Sequence, residues 1–156
     1  MARFTAVART PAPAARTWEL LTDWPAHGRW VPLTVVRVLT PQGRGVGARF
    51  TGRTGLGPFA FDDPMEVVEW REPAAGTPGR VRLTKLGRVV LGGAEIEVED
   101  TPGGGSVVRW TEDVQVAPVR LTRPFDRVVA ALGRRAFERA LRAMACELAV
   151  PISEAG

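Results

Sequence analysis

Residues 121–150, LTRPFDRVVAALGRRAFERALRAMACELAV, decide how the rest of the chain is read. Apolar residues recur at Phe125, Val128, Val129 and Leu132 and again at Phe137, Leu141, Met144 and Leu148, the i, i+3, i+4 spacing of a helix with a buried stripe. At about 1.5 Å per residue a helix over Leu121 to Val150 is roughly 40 Å long, enough to lie across a whole strand layer. The stripe is not continuous. The step from Leu132 to Phe137 turns the buried face by about 140° at 100° per residue, and Gly133 sits at that step. The pattern predicts a kink or π-type bulge near Gly133 and Arg134, or two halves that meet different partners.

Nearly everything before this stretch has the period of strands. Arg3 to Arg9 alternates and is a first strand, ended by Thr10-Pro11-Ala12-Pro13. Ala14 to Thr22 is a short helix behind its prolines, and Pro25 and Gly28 break the next segment off as a second helical turn. Then come Val31 to Thr40, Gly47 to Thr54, Phe59 to Trp70, Arg80 to Leu86, Val89 to Glu99 and Ser106 to Val116, separated by Gly- and Pro-rich turns. Six consecutive strands with short connections pair antiparallel, since parallel pairing needs long crossovers. Pro64 implies an edge, a bulge or a bend in the fourth strand, and leaves open whether Met65 and Val67 or Glu66, Val68 and Trp70 face inward.

The alternation is clearest in the last two strands. Ala94, Ile96 and Val98 face one way and Glu95, Glu97 and Glu99 face water; Val108, Trp110, Val114 and Val116 share a face with Glu112. A carboxylate among apolar neighbours is costly unless paired, protonated or at a cavity mouth, so Glu112 is the one weak candidate for a catalytic group.

A chain of 156 residues with 45% hydrophobic content fits one globular domain spanning residues 1–156. No apolar run approaches a membrane span, the first residues lack the apolar segment of a signal peptide, and a lone cysteine, Cys146, is expected as a small core residue; a cytoplasmic protein is the simplest expectation. The net charge of +4 is concentrated at Arg120, Arg123, Arg127, Arg134, Arg135, Arg139 and Arg142. Aromatics are not interleaved with them as base stacking requires, so no nucleic acid is expected. This arginine face reads as a solvated outer face, with weak contact to an anionic membrane as the sharper alternative. The single lysine among 21 basic residues reads as a matter of codon composition.

In its element order the chain resembles the SRPBCC superfamily, which includes START lipid-transfer domains, plant pollen allergens and polyketide cyclases. The resemblance is carried by Ala12-Pro13 before Thr17-Trp18, Asp23-Trp24 through Trp30-Val31-Pro32, Asp62-Asp63-Pro64-Met65 before Val67 and Trp70, and Gly104-Gly105 before Val108, Arg109 and Trp110. It implies an α+β helix-grip fold of order β-α-α-β6-α, a seven-stranded curved antiparallel sheet wrapped around the long C-terminal helix. An apolar cavity between them would take a lipid, polyketide or other small hydrophobic molecule, carried or sensed; the alternative is a cyclase or aromatase of secondary metabolism using carboxylate or arginine groups in the cavity. Fold alone does not choose between them.

No cofactor and no metal are expected, because one histidine, His27, and one cysteine offer too few ligands. Asp23 and His27, four apart, read as a surface pair or cap, and the glycine pairs as turns. The residues expected to meet a ligand are Trp30, Phe50, Phe61, Met65, Trp110 and Glu112 from the sheet side and Phe125, Val128, Val129 and Leu132 from the helix, with the last four at the cavity mouth. Nothing in the sequence sets the oligomeric state.

Overall fold

A computed structural model describes residues 1–150. Strand β1 (Ala2–Thr10) leads into helix α1 (Ala14–Leu21) and a 3-10 turn (Trp24–Arg29), followed by β2 (Thr34–Val38), β3 (Arg49–Thr54), β4 (Phe61–Arg71), β5 (Gly79–Lys85), β6 (Val90–Asp100) and β7 (Ser106–Val116). Every neighbouring pair in the sheet is antiparallel, in the order β1-β7-β6-β5-β4-β3-β2. The C-terminal segment is a short helix α2 (Val119–Thr122), a 3-10 turn (Arg123–Phe125) and the long helix α3 (Asp126–Ala149). This is the α+β helix-grip arrangement: a curved seven-stranded sheet holding a long C-terminal helix.

The expected single helix from Leu121 is thus divided. Pro124 stands in the first turn of the 3-10 segment, where its missing N–H costs nothing, and α3 starts just after it. The expected kink at Gly133 is absent, because α3 is α-helical without interruption from Asp126 to Ala149. Gly133 is there for closeness instead: a Cβ at that position would lie 2.5 Å from Cε1 of Phe4 on β1. The two halves do differ in what they meet. Ala140, Leu141 and Met144 are buried, and Phe137 packs on Phe4 with ring centroids 5.5 Å apart. In the first half Val129 rests on the cluster of Ala2, Phe4 and Val114, while Phe125, Val128 and Leu132 face water. Cys146 is exposed, not buried, since it falls off the stripe formed by Leu141, Met144 and Leu148.

The ambiguous phase of β4 has a concrete cause. Pairing with β5 runs Met65↔Lys85 and Val67↔Leu83, then shifts to Glu69↔Arg82 and Trp70↔Val81, a bulge that gives β4 one extra residue at Val68. Asp63, Met65 and Val67 therefore face the helix on one side of the bulge and Trp70 on the other, where it meets Trp18 of α1 edge-on at 5.1 Å. Pro64 makes neither edge nor bulge. β4 is an interior strand, the Pro64 carbonyl accepts from Leu86 N at 2.7 Å, and the ring faces Gly87, where β5 has already ended. Gly92 and Gly93 lie within β6, not in a turn, at a point where adjoining backbone leaves no room for a side chain.

On the outer face Glu95 and Glu97 pair with Arg80 at 3.2 and 3.1 Å, and Glu99 with Arg109 at 2.6 Å. These partly exposed pairs keep that face wet and contribute little stability.

Candidate functional site

Strand parity carries one lysine and two carboxylates onto the concave, otherwise apolar face of the sheet. On β5, Val81 and Leu83 point inward, and the next residue in phase is Lys85. On β4 the same face carries Asp63, and on β7 it carries Trp110 and Glu112. Lys85 Nζ donates to Asp63 Oδ2 at 2.6 Å and lies 3.8 Å from Glu112 Oε2. Trp110 Nε1 donates to the other Glu112 oxygen at 2.8 Å, and Met65 Sδ is 3.8 Å from the ammonium. The Lys85, Asp63 and Glu112 side chains are 6%, 16% and 4% exposed.

Lys85 and Glu112 belong to strands two apart, roughly 10 Å in backbone separation. They can reach each other because the intervening strand has only the small Ala94 and the side-chain-free Gly92 between them. Burial alone pulls the Lys85 ammonium toward neutrality, but the attraction of Glu112 and Asp63 outweighs it and holds Lys85 above its ordinary value. For Glu112 burial dominates and raises the carboxyl, opposed by Lys85 and by the Trp110 hydrogen bond. Two carboxylates share one ammonium, and Asp63 Oδ1, itself buried, has no hydrogen-bond partner.

Around this cluster the wall is aromatic. Trp110 meets Phe137 of α3 edge-on at 5.1 Å and His27 at 5.4 Å. His27 is no surface pair. It is buried between Trp24, Trp30 and Trp110, with Nε2 at 2.7 Å from the Leu21 carbonyl, while Asp23 is exposed. Burial lowers the imidazole to a pKa of about 4, with the Leu21 carbonyl and Asp23 opposing, so it is neutral near pH 7. The break at Pro25 does not keep this segment on the surface; it turns the segment into the core as a 3-10 turn.

Of the residues expected to meet a ligand, Met65, Trp110 and Glu112 converge on Lys85. Phe61 is half-buried at the start of β4; Phe50 is buried and stacks on Trp24 at 4.2 Å; Trp30 is buried and donates to Glu147 Oε2 at 2.8 Å. Val129 is half-buried against β1, whereas Phe125, Val128 and Leu132 lie on the solvent side of the helix. Sequence reasoning misses Lys85 and Asp63. Their signal is the phase set by Val81 and Leu83 on one strand and by Met65 and Val67 on the other.

A surface recess of about 360 Å³ lies on the opposite face of the sheet over Gly93, Arg82, Glu95 and Asp113. It is open and charged, and suits an apolar molecule poorly.

Structural relatives share this architecture at low sequence identity, which speaks for the fold alone. TTHA0849 from Thermus thermophilus superposes with a TM-score of 0.73 at 17% identity, covering 94% of this chain and 96% of that one. A START superfamily protein from Mycobacterium smegmatis gives 0.71 at 14% identity, over 94% and 98% of the two chains. A Thalictrum flavum norcoclaurine synthase point mutant, solved with a transition-state analogue, gives 0.65 at 13% identity over 93% and 94%. No curated protein sequence matches. A family model described as polyketide cyclase / dehydrase and lipid transport matches residues 1–149, and the chain belongs to that family.

Proposed function

We propose that the protein binds one small, largely apolar molecule between the concave face of the sheet and α3, as a carrier or sensor, with the polar end of that molecule on Lys85, Asp63 and Glu112. The observation that carries this reading is the single lysine of the chain, buried between two carboxylates on a wall of Trp110, Met65 and Phe137, with Asp63 Oδ1 left without a partner. A buried acceptor with nothing to accept from is costly, and a hydroxyl or amide donor of a ligand would satisfy it. The family description, which names both cyclisation and lipid transport, supports a hydrophobic small molecule as the class.

The same cluster supports a second reading, catalysis of the cyclase type. A carrier wall needs apolar groups only, whereas here an ammonium and two carboxylates converge. Glu112, its carboxyl raised by burial, would take the proton from the carbon next to a substrate carbonyl, and Lys85 would hydrogen-bond the oxygen on which the charge develops. The enolate carbon then attacks a second carbonyl of the same chain, whose oxygen takes up a proton to give the aldol.

Mass spectrometry of an organic extract of the purified protein tests the first reading: a retained hydrophobic compound, lost in Trp110→Ala, is the expected result. Retention that is indifferent to Trp110 would refute the placement. With a poly-β-ketone substrate, Glu112→Gln separates the two readings, because a base is lost while the ligand still binds.

A further inference from the structure

In an antiparallel sheet of this order, the start of β1, the end of β7 and the connections β3–β4, β5–β6 and 3-10 turn–β2 all lie at one end. α2 and the start of α3 continue directly from β7 and lie there too. That end carries a set of large apolar side chains that no part of the described protein covers: Leu33, Leu56, Phe59, Leu86, Leu121 and Phe125. Phe59 is the extreme, 89% exposed at the tip of a turn that Gly55 permits, since a Cβ there would lie 2.7 Å from the Phe59 carbonyl oxygen. Among them stand Arg88, Arg120, Arg123 and Arg127, all exposed and none in an ion pair among the described residues. The nearby Asp126 is taken up by the Met1 ammonium at 2.5 Å.

Apolar tips from four separate segments, interleaved with unpaired arginines, fit a flat, deformable, negatively charged surface better than a shaped protein pocket. A second copy placed symmetrically here would set the same arginines against each other. No helix among the described residues is long and apolar enough to cross a bilayer, so contact is at the surface. We infer that this end docks on an anionic phospholipid membrane, with Phe59, Leu56 and Phe125 entering the headgroup boundary and Arg120, Arg123 and Arg127 meeting lipid phosphates. The docking surface is this end of the helix grip, with Arg127 at the start of α3, and not the later arginines of that helix, Arg134, Arg135, Arg139 and Arg142. It stands apart from the proposed interior ligand, since either can hold without the other.

Sedimentation with vesicles tests it, using phosphatidylcholine alone and phosphatidylcholine mixed with phosphatidylserine. The full chain is expected to sediment with the mixed vesicles only, and less as salt rises. Replacing Arg120, Arg123 and Arg127 together by Gln should weaken binding about a hundredfold, at roughly fivefold per arginine. Phe59→Ser should weaken it roughly tenfold. All these side chains are exposed, so far-UV circular dichroism should be unchanged in both variants. Equal sedimentation with neutral vesicles, or none with either, overturns the inference. So does a dimer in sedimentation velocity that Phe59→Ser dissociates, since the apolar end would then belong to a second copy.

Discussion

Replacing Lys85 by Met removes the one cation of the interior while keeping its volume. Asp63 loses a partner at 2.6 Å and Glu112 one at 3.8 Å, and both carboxylates stay on a face where their side chains are at most 16% exposed. Breaking a buried pair from one side typically costs about 3–5 kcal/mol, because the remaining charge is stranded. For a chain of this length that lowers the melting temperature by on the order of 10 °C. The pH dependence identifies the cause. Glu112 already has a folded-state pKa raised by burial, so it contributes stability that is present at low pH and lost as pH rises through that value. Without Lys85 its pKa rises further, the carboxyl takes a proton, and the deficit of the variant grows from pH 5 to pH 8. Urea unfolding followed by tryptophan fluorescence at both pH values measures this, and Lys85→Met/Glu112→Gln should recover a large part of the loss at pH 8, with Trp110 still donating to the amide oxygen. A Lys85→Met cost that is below about 1 kcal/mol, or that is unchanged in the Glu112→Gln background, would refute the buried cluster.

His27 gives a second pH signature. Its folded pKa of about 4 lies below the usual 6.5, so the unfolded chain binds the extra proton and the protein loses about 3 kcal/mol between pH 6.5 and pH 4; in His27→Phe that slope should flatten in an acid unfolding titration. Gly133→Ala should destabilise by about 1–3 kcal/mol against Phe4 despite the better helix former, and Phe4→Leu should reverse the sign, as read by thermal melting. Leu141→Ala, emptying a fully buried site beneath α3, should cost about 2–5 kcal/mol in the same assay.

The strand and helix order, the antiparallel sheet and the inward Glu112 were legible because each rests on a period of two or of 3.6 that local sequence carries. The register shift at Val68 was not, since a bulge is a pairing event between β4 and β5 and leaves no mark in β4 alone. Pro64 points to the wrong residue for the same reason: whether a missing N–H matters depends on where the neighbouring strand ends. Gly133 looks like a weakness in the helix, but its meaning lies in Phe4, well over a hundred residues away. Lys85 is findable, as the only lysine of the chain and in phase with Val81 and Leu83, yet composition invites a genomic explanation for a residue whose reason is electrostatic. His27 and Cys146 change places with their expected surroundings. A proline-broken segment can still be buried, and a cysteine on a helix obeys the stripe and not its own preference.

The extra residue in β4 also bears on how this interior changes by descent. Before the bulge the strand serves the cluster through Asp63 and Met65; after it, the strand serves the α1 side through Trp70. Deleting Val68 would remove the bulge and leave Val67, Glu69 and Trp70 opposite Leu83, Arg82 and Val81 in plain alternation, so both halves would keep their inward residues. The bulge is thus the one place in β4 where a residue can be lost without cost to the interior. A one-residue insertion or deletion elsewhere in the strand would turn one half over and divide relatives of this chain into groups with different interiors.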